Sequence, residues 1–224
     1  MSASSLAKEK EHLIQRLKAS GYLRSEDVER DMRRVPREEF VLPEMRDEAY
    51  RDTPLPLFHG QTISAPHMCA IMCEGLGLKV GLTVLEVGTG SGYHAALCAE
   101  IVSPEGASKP GHVYTVEIVK PLVDFATANL SRCGYKERVT VIHGDGGKGL
   151  EEKAPFDRIL VAAAAPDIPR PLIQQLRPGG ILLIPVGPRG FYQELLFVEK
   201  DLDSRVTRKN WGGVAFVPLT GEYG

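Results

Sequence analysis

The run Val84-Leu85-Glu86-Val87-Gly88-Thr89-Gly90-Ser91-Gly92 constrains this chain more than any other stretch. β-favouring apolar residues and an acid pass directly into glycines at alternate positions, and a helix-like segment follows at once, over 93–102. A strand, a tight turn and a helix start are therefore packed together. Glycine in such a turn reaches backbone angles closed to other residues and lets a ligand approach the main chain closely. In an open α/β sheet, this junction at the carboxyl end of a strand is where nucleotide-like ligands dock.

The spacing narrows the ligand. A dinucleotide fingerprint reads G-x-G-x-x-G, with an acid about 20 residues further on. Here it is G-x-G-x-G, with Tyr93 where the third small residue would stand. Glu86 precedes the first glycine, placed for a cationic amino group rather than a pyrophosphate. Glu117 ends the strand-like run 112–116 and suits both hydroxyls of a ribose, and Asp145 ends the run 139–144 and suits an adenine amine. Acids after three successive strands fit a ligand with an ammonium group, a ribose and an adenine, and no phosphate. S-adenosylmethionine meets that description, and the pattern resembles the class I methyltransferases. The plain alternative is a Gly-rich turn in an unrelated α/β protein.

At 224 residues the chain can bury a sound core as one domain with appendages. A formal net charge of -2 makes no electrostatic case for nucleic acid or an acidic membrane. Charges run through 1–20, so a signal peptide is not expected, and no run approaches the roughly 20 apolar residues of a membrane span. A cytoplasmic monomer is the expectation. Cys69, Cys73, Cys98 and Cys133 form no C-x-x-C pair, which favours buried free thiols over disulfides or metal ligation. The six histidines show no paired ligand spacing, so no metal site is expected.

Residues 5–19 carry Leu13, Ile14 and Leu17 at helical spacing, with Gly21 as a stop. Ser25-Glu26-Asp27 reads as an N-cap with acids in the first turn of a helix that Pro36 ends. The arginines on it and after it, Arg30, Arg33, Arg34 and Arg37, read as a solvated face. A short helix over 43–48 completes a helical appendage in 1–50. Residues 50–63 hold two prolines and a glycine, yet Leu55, Leu57, Phe58 and Ile63 are too apolar for a free linker. Such a loop packs as the lid or wall of a site. Ser64 reads as the N-cap of the next helix, whose free amides would favour an anion. From 80 to the end the pattern is a doubly wound core. It has strands at 84–88, 112–117, 139–143, 156–162 and 181–184, helices at 92–102, 121–130 and 171–176, and two last strands at 193–199 and about 205–217. The fold class expected is α/β, a mostly parallel seven-stranded sheet with helices on both faces.

The turn after the fourth core strand is Ala162-Ala163-Ala164-Ala165-Pro166 and lacks the polar groups of base-amine methylation. No cluster of acids and amides supports metal-dependent methylation either. With no evident general base, the acceptor is expected to need no deprotonation, as a carboxylate does at pH 7.

The run Gly60-Gln61-Thr62-Ile63-Ser64-Ala65-Pro66-His67-Met68 resembles the signature of the protein-L-isoaspartate O-methyltransferase family. The likeness continues through Asp145-Gly146, 162–166, 176–187 and 214–220, in the family's order. It implies methyl transfer from S-adenosylmethionine, with S-adenosylhomocysteine as product, to the side-branch carboxyl of isoaspartyl residues in damaged proteins and peptides. The ester then closes to a succinimide, which can reopen to normal aspartate. Ser64 matches the serine assigned to the active site. Gln61, Thr62, Ile63, Ser64, Cys69, Ser91, Glu117, Ile118, Asp145, Gly146 and Thr220 fall at cofactor-contacting positions, beside Glu86, Gly88 and Gly90 of the Gly-rich run. Two departures stand out: Cys69, where animal relatives often carry histidine, and Glu86, where relatives often carry aspartate. Only four residues follow Thr220, so later cofactor contacts of relatives are expected to be missing.

Other readings stay open at this level. The same fold serves small-molecule and RNA acceptors, and a cofactor-binding protein without turnover would share the Gly-rich turn. Ser64 reads equally as a helix cap, Cys69 as helix core, and Trp211 as either a groove wall or a strand anchor. His59 and His67 are given no catalytic role.

Overall fold

The computed structural model describes residues 3–188 and 192–224; Met1 and Ser2 of the expected appendage lie outside the described residues. Helix α1 (Ala3–Ala19) buries Leu6, Leu13, Ile14 and Leu17 along one stripe. Ser25 caps α2 (Glu26–Arg34), its hydroxyl accepting from the Val28 amide at 3.3 Å, and three acids occupy the first turn, where the helix dipole favours them. The backbone then turns at Pro36 and runs through two 3-10 turns, Arg37–Glu39 and Pro43–Glu48. Strands β1 (Leu55–Pro56) and β2 (Thr62–Ile63) pair as a short antiparallel hairpin that leads into α3 (Pro66–Leu76).

The core alternates strands β3 (Thr83–Val87), β4 (His112–Glu117), β5 (Val139–His143), β6 (Phe156–Val161) and β7 (Leu176–Val186) with helices α4 (Tyr93–Val102), α5 (Lys120–Arg132) and α6 (Arg170–Gln175). Strands β8 (Gln193–Lys200) and β9 (Val206–Val214) close the edge. The sheet order is β5-β4-β3-β6-β7-β8-β9, parallel through β7, with β8 antiparallel to both neighbours. Residues alternate between the sheet's faces with a period of two. Val84, Leu160 and Leu183 pack on the side of α1 to α5, while Leu85, Ile159, Val161, Leu182 and Ile184 pack on the side of α6. Both faces are covered, which explains the near-continuous apolar strands.

Two boundaries differ from the sequence reading. Pro178-Gly179-Gly180 lies inside β7 rather than breaking the chain before it, because a register shift against β6 absorbs the irregular residues. The last strand ends at Val214, since 217–219 leaves the sheet edge to bond Ala164. The Ala164 amide donates to the Val217 carbonyl and the Leu219 amide to the Ala164 carbonyl, both at 2.8 Å.

The chain winds outward from β3 through β4 to β5, then returns to β6 on the other side of β3. This reversal opens a crevice at the carboxyl end of β3, the general ligand position of such sheets. Gly88 to Gly92 lie there.

Candidate active site

Gly88, Gly90 and Gly92 all take positive φ (90°, 56° and 87°), so the turn after β3 uses backbone that other residues rarely adopt. It forms the floor of a cleft at the switch point, lined also by Glu86, Ser91, Glu117, Ile118 and Gly146. The opposing wall is Gln61, Thr62, Ile63, Ser64 and Cys69, carried by β2 and the start of α3. Residues 217–220, tied to Ala164, bring Thr220 to the rim. Segments far apart in sequence thus converge on one cavity.

Asp145 is the exception among the expected residues. Its carboxylate does not line the cleft; Oδ1 accepts from the Gly147 amide at 3.0 Å and Oδ2 from the Glu222 amide at 2.9 Å. The C-terminal residues occupy it, and only its neighbour Gly146 faces the cavity.

Glu86 is completely buried on β3, on the face shared with Val84. One oxygen accepts from the Thr115 hydroxyl at 2.5 Å, and Thr89 bonds Thr115 in turn at 2.6 Å. The other oxygen, Oε1, has no partner among the described residues. Burial pushes this carboxyl up to about 8, against the Thr115 hydrogen bond, and the nearby Glu117 adds to the rise. A buried carboxylate oxygen without a partner at the cleft wall suits an incoming ammonium group. Glu117 is more fully engaged: Oε2 accepts from Gly90 N and Oε1 from Val119 N, each at 2.9 Å. It holds the Gly-rich turn in shape and also lines the cleft. The donor set therefore fits the ammonium and ribose of S-adenosylmethionine.

The position of Ser64 corrects the sequence reading. The N-cap of α3 is Ala65, with Pro66 as first helical residue and no side-chain cap. Nor are the helix amides all free for an anion: Asp52 takes the His67 amide and ring Nδ1, both at 2.9 Å. Released from capping, half-buried Ser64 lines the cleft and also a second, adjoining cavity bounded by His67, Met68, Tyr192, Ala215 and Phe216. Thr62, Ala162 and Val217 share that divide. The apolar turn at 162–166 thus forms part of the partition between the two spaces.

Arg37 also departs from expectation. Arg30, Arg33 and Arg34 remain partly exposed and ion-paired, but Arg37 is fully buried. Its guanidinium donates to the Ala49 carbonyl and to the Ser64 carbonyl, each at 2.8 Å, and lies 4.9 Å over the Tyr93 ring. The break at Pro36 turns this residue inward, off the helical face that its neighbours share. Trp211 lines neither cavity. It stacks on Phe197 with ring centres 4.9 Å apart and packs on Gly75 of α3, so it anchors a strand. Cys69 is buried at the cleft wall, where desolvation pushes its thiol up to about 12. Thr89, Thr115, Tyr192 and Phe216 were missed in the sequence. Thr89 and Thr115 had a signal, one hydroxyl in the Gly-rich turn after the buried acid and the other on the next strand, and Phe216 lay in the family-like run 214–220; Tyr192 had none.

Comparison with known proteins agrees with this geometry. The family model described as Protein-L-isoaspartate(D-aspartate) O-methyltransferase (PCMT) matches residues 8–224. A protein-L-isoaspartate O-methyltransferase of Hyperthermus butylicus is 57% identical over 95% of this chain and 88% of its own length. One from Methanopyrus kandleri is 54% identical over 96% of this chain and 92% of its own. Among solved structures, a protein-L-isoaspartate O-methyltransferase of Plasmodium falciparum in complex with S-adenosyl-L-homocysteine superimposes with a TM-score of 0.81. It is 30% identical, covering 93% of this chain and 97% of that one. The chain belongs to the protein-L-isoaspartate (D-aspartate) O-methyltransferase family.

Proposed function

We propose that this protein transfers a methyl group from S-adenosyl-L-methionine to the free carboxyl of L-isoaspartyl residues in damaged proteins and peptides. The observation that carries the reading, beside family membership, is Ser64 on the border of two adjoining cavities. One holds the acids and glycines that suit the cofactor, and the other opens toward Tyr192 and Phe216, where a peptide can enter. S-adenosylmethionine, when bound, supplies a methyl group already activated on a sulfonium.

The chain's own residues supply position. Glu86 and Glu117 hold the charged and hydroxylated ends of the cofactor, with Gly88, Gly90, Ser91, Ile118, Gly146 and Thr220 around it. Asp145 acts through its cap on the Gly147 amide, which holds Gly146 against the cleft. Gln61 to Ser64 and Cys69 close the other wall, so residues 50–75 serve as lid over the core that begins near 80. Ser64 donates its hydroxyl to the acceptor carboxylate and orients it. A carboxylate is ionised at pH 7 and needs no base. Its oxygen attacks the methyl carbon in line, the C–O bond forming as the carbon–sulfur bond breaks, and rate comes from holding that alignment. Off the enzyme, the adjoining backbone amide nitrogen attacks the ester carbonyl and expels methanol, and water opens the resulting succinimide to return part of the damage to aspartate. Turnover by a cytoplasmic monomer, without nucleic acid, completes the reading.

The test is transfer of labelled methyl to paired synthetic peptides, one with isoaspartate and one with aspartate at the same position. Labelling of the isoaspartyl peptide alone, lost in mild base as esters are, is expected. Equal labelling of both, or of neither while S-adenosylhomocysteine still binds, refutes the acceptor.

A further inference from the structure

Two core helices bring together a group of side chains that methyl transfer does not use. His94 and Cys98 stand four residues apart on one face of α4, and Cys73 approaches them from α3. All three are buried, and their Sγ and ring-nitrogen atoms lie within 4.8 Å of one another. Scanning the sequence finds no ligand spacing here, because only the packing of α3 on α4 assembles it.

We propose that Cys73, His94 and Cys98 form a binding site for one thiophilic d10 metal ion, Zn(II) or Cu(I). The geometry supports it directly. The Cys73 Sγ to His94 Nε2 distance is 3.5 Å. With a metal–sulfur bond of about 2.3 Å and a metal–nitrogen bond of about 2.0–2.1 Å, a tetrahedral angle places those two atoms about 3.5 Å apart. Two thiols and an imidazole are the donors that select such ions over calcium or magnesium.

Charge and proton balance are simple. Each thiol loses its proton as its sulfur bonds the metal, so one ion displaces two protons and no electron moves. Zn(II) with two thiolates adds no net charge to a buried place. The groups facing the site from neighbouring residues are Arg37, Cys69 on the preceding turn of α3, and Asp31 of α2. His94 also lines the cofactor cleft, so the imidazole of the cluster sits against the wall of that cavity. The consequence is a clamp between α3, which follows the Ser64 wall, and α4, which starts at the Gly-rich turn.

The experiment is metal titration of the full chain, reduced with a non-chelating phosphine, against a chromophoric competitor for Zn(II) and a separate one for Cu(I). One equivalent of at least one ion is expected to bind and to raise the unfolding temperature. Cys98→Ala and His94→Asn each weaken that binding by more than the roughly 10–100-fold seen on losing an outer-shell partner. Cys133→Ala, at the end of α5, leaves it unchanged. Should Cys98→Ala fail to fold, His94→Asn alone carries the comparison. Absence of stoichiometric binding of both ions overturns the proposal. So does equal binding by wild type and the site variants, or a thiol count showing Cys73 and Cys98 joined as a disulfide in the untreated protein.

Discussion

Replacing Glu86 with glutamine isolates the cost of the buried acid and its use. In the folded chain burial raises this carboxyl from 4.5 to about 8. The folded state therefore binds more protons than the unfolded state between those values, and its stability falls as pH rises through that window. The full difference corresponds to about 5 kcal/mol, absent below the lower pKa and complete above the upper one. Glu86→Gln has no such titration. Its amide oxygen can still accept from Thr115, while its NH2 group takes the unpartnered place at a cost of about 1–3 kcal/mol. Urea unfolding without cofactor from pH 5 to 9 should show wild-type stability falling relative to the variant across that range.

Cofactor binding then reverses the sign. An ammonium group against Oε1 favours the carboxylate, so binding expels the proton. At pH 7 about nine-tenths of a proton should be released per S-adenosylhomocysteine bound. Calorimetric titration in two buffers of different ionisation enthalpy reads that number, and Glu86→Gln should lose both the release and most of the affinity. Parallel stability profiles for wild type and variant would refute the buried-acid argument. Release of no proton by the wild type would refute the ammonium contact.

Ser64→Ala should lower turnover on isoaspartyl peptide by about 10–100-fold, the loss of one hydrogen bond to a charged group, while leaving S-adenosylhomocysteine affinity nearly intact; unchanged turnover removes Ser64 from the mechanism. Gly146→Ala places a Cβ 2.5 Å from a Val87 methyl in the cleft wall, so it should destabilise the protein by about 1–3 kcal/mol in urea unfolding and weaken cofactor binding. Arg37→Lys keeps the charge but not the fork that spans the Ala49 and Ser64 carbonyls. A loss of about 2–3 kcal/mol in urea unfolding is expected, with turnover falling more than cofactor affinity.

The Gly-rich turn, its acids and the strand–helix alternation were legible because each is local. A strand running into glycines writes its geometry into a few consecutive residues, and Glu86 and Glu117 end strands that the apolar pattern marks. The alternation implied a doubly wound sheet, but the order of its strands, and with it the switch point that opens the cleft, came from the structure, because crossover handedness sets the face a helix covers and not which strands pair. What the sequence could not hold was the partner of each polar group. Ser64 read as a cap, yet Asp52 takes the nearby helix amide from 15 residues away. Asp145 read as a cofactor ligand from its place at a strand end, and nothing local told that the amide of Glu222 also reaches it across 77 residues. Arg37 looked like its exposed neighbours until Pro36 turned it under the Ser64 loop. The second cavity, and the meeting of Cys73 with His94 and Cys98, exist only because separate segments pack together. Hydrogen bonds and metal geometry are satisfied within a few ångströms in space, at any separation along the chain, so they were decided by the tertiary structure alone.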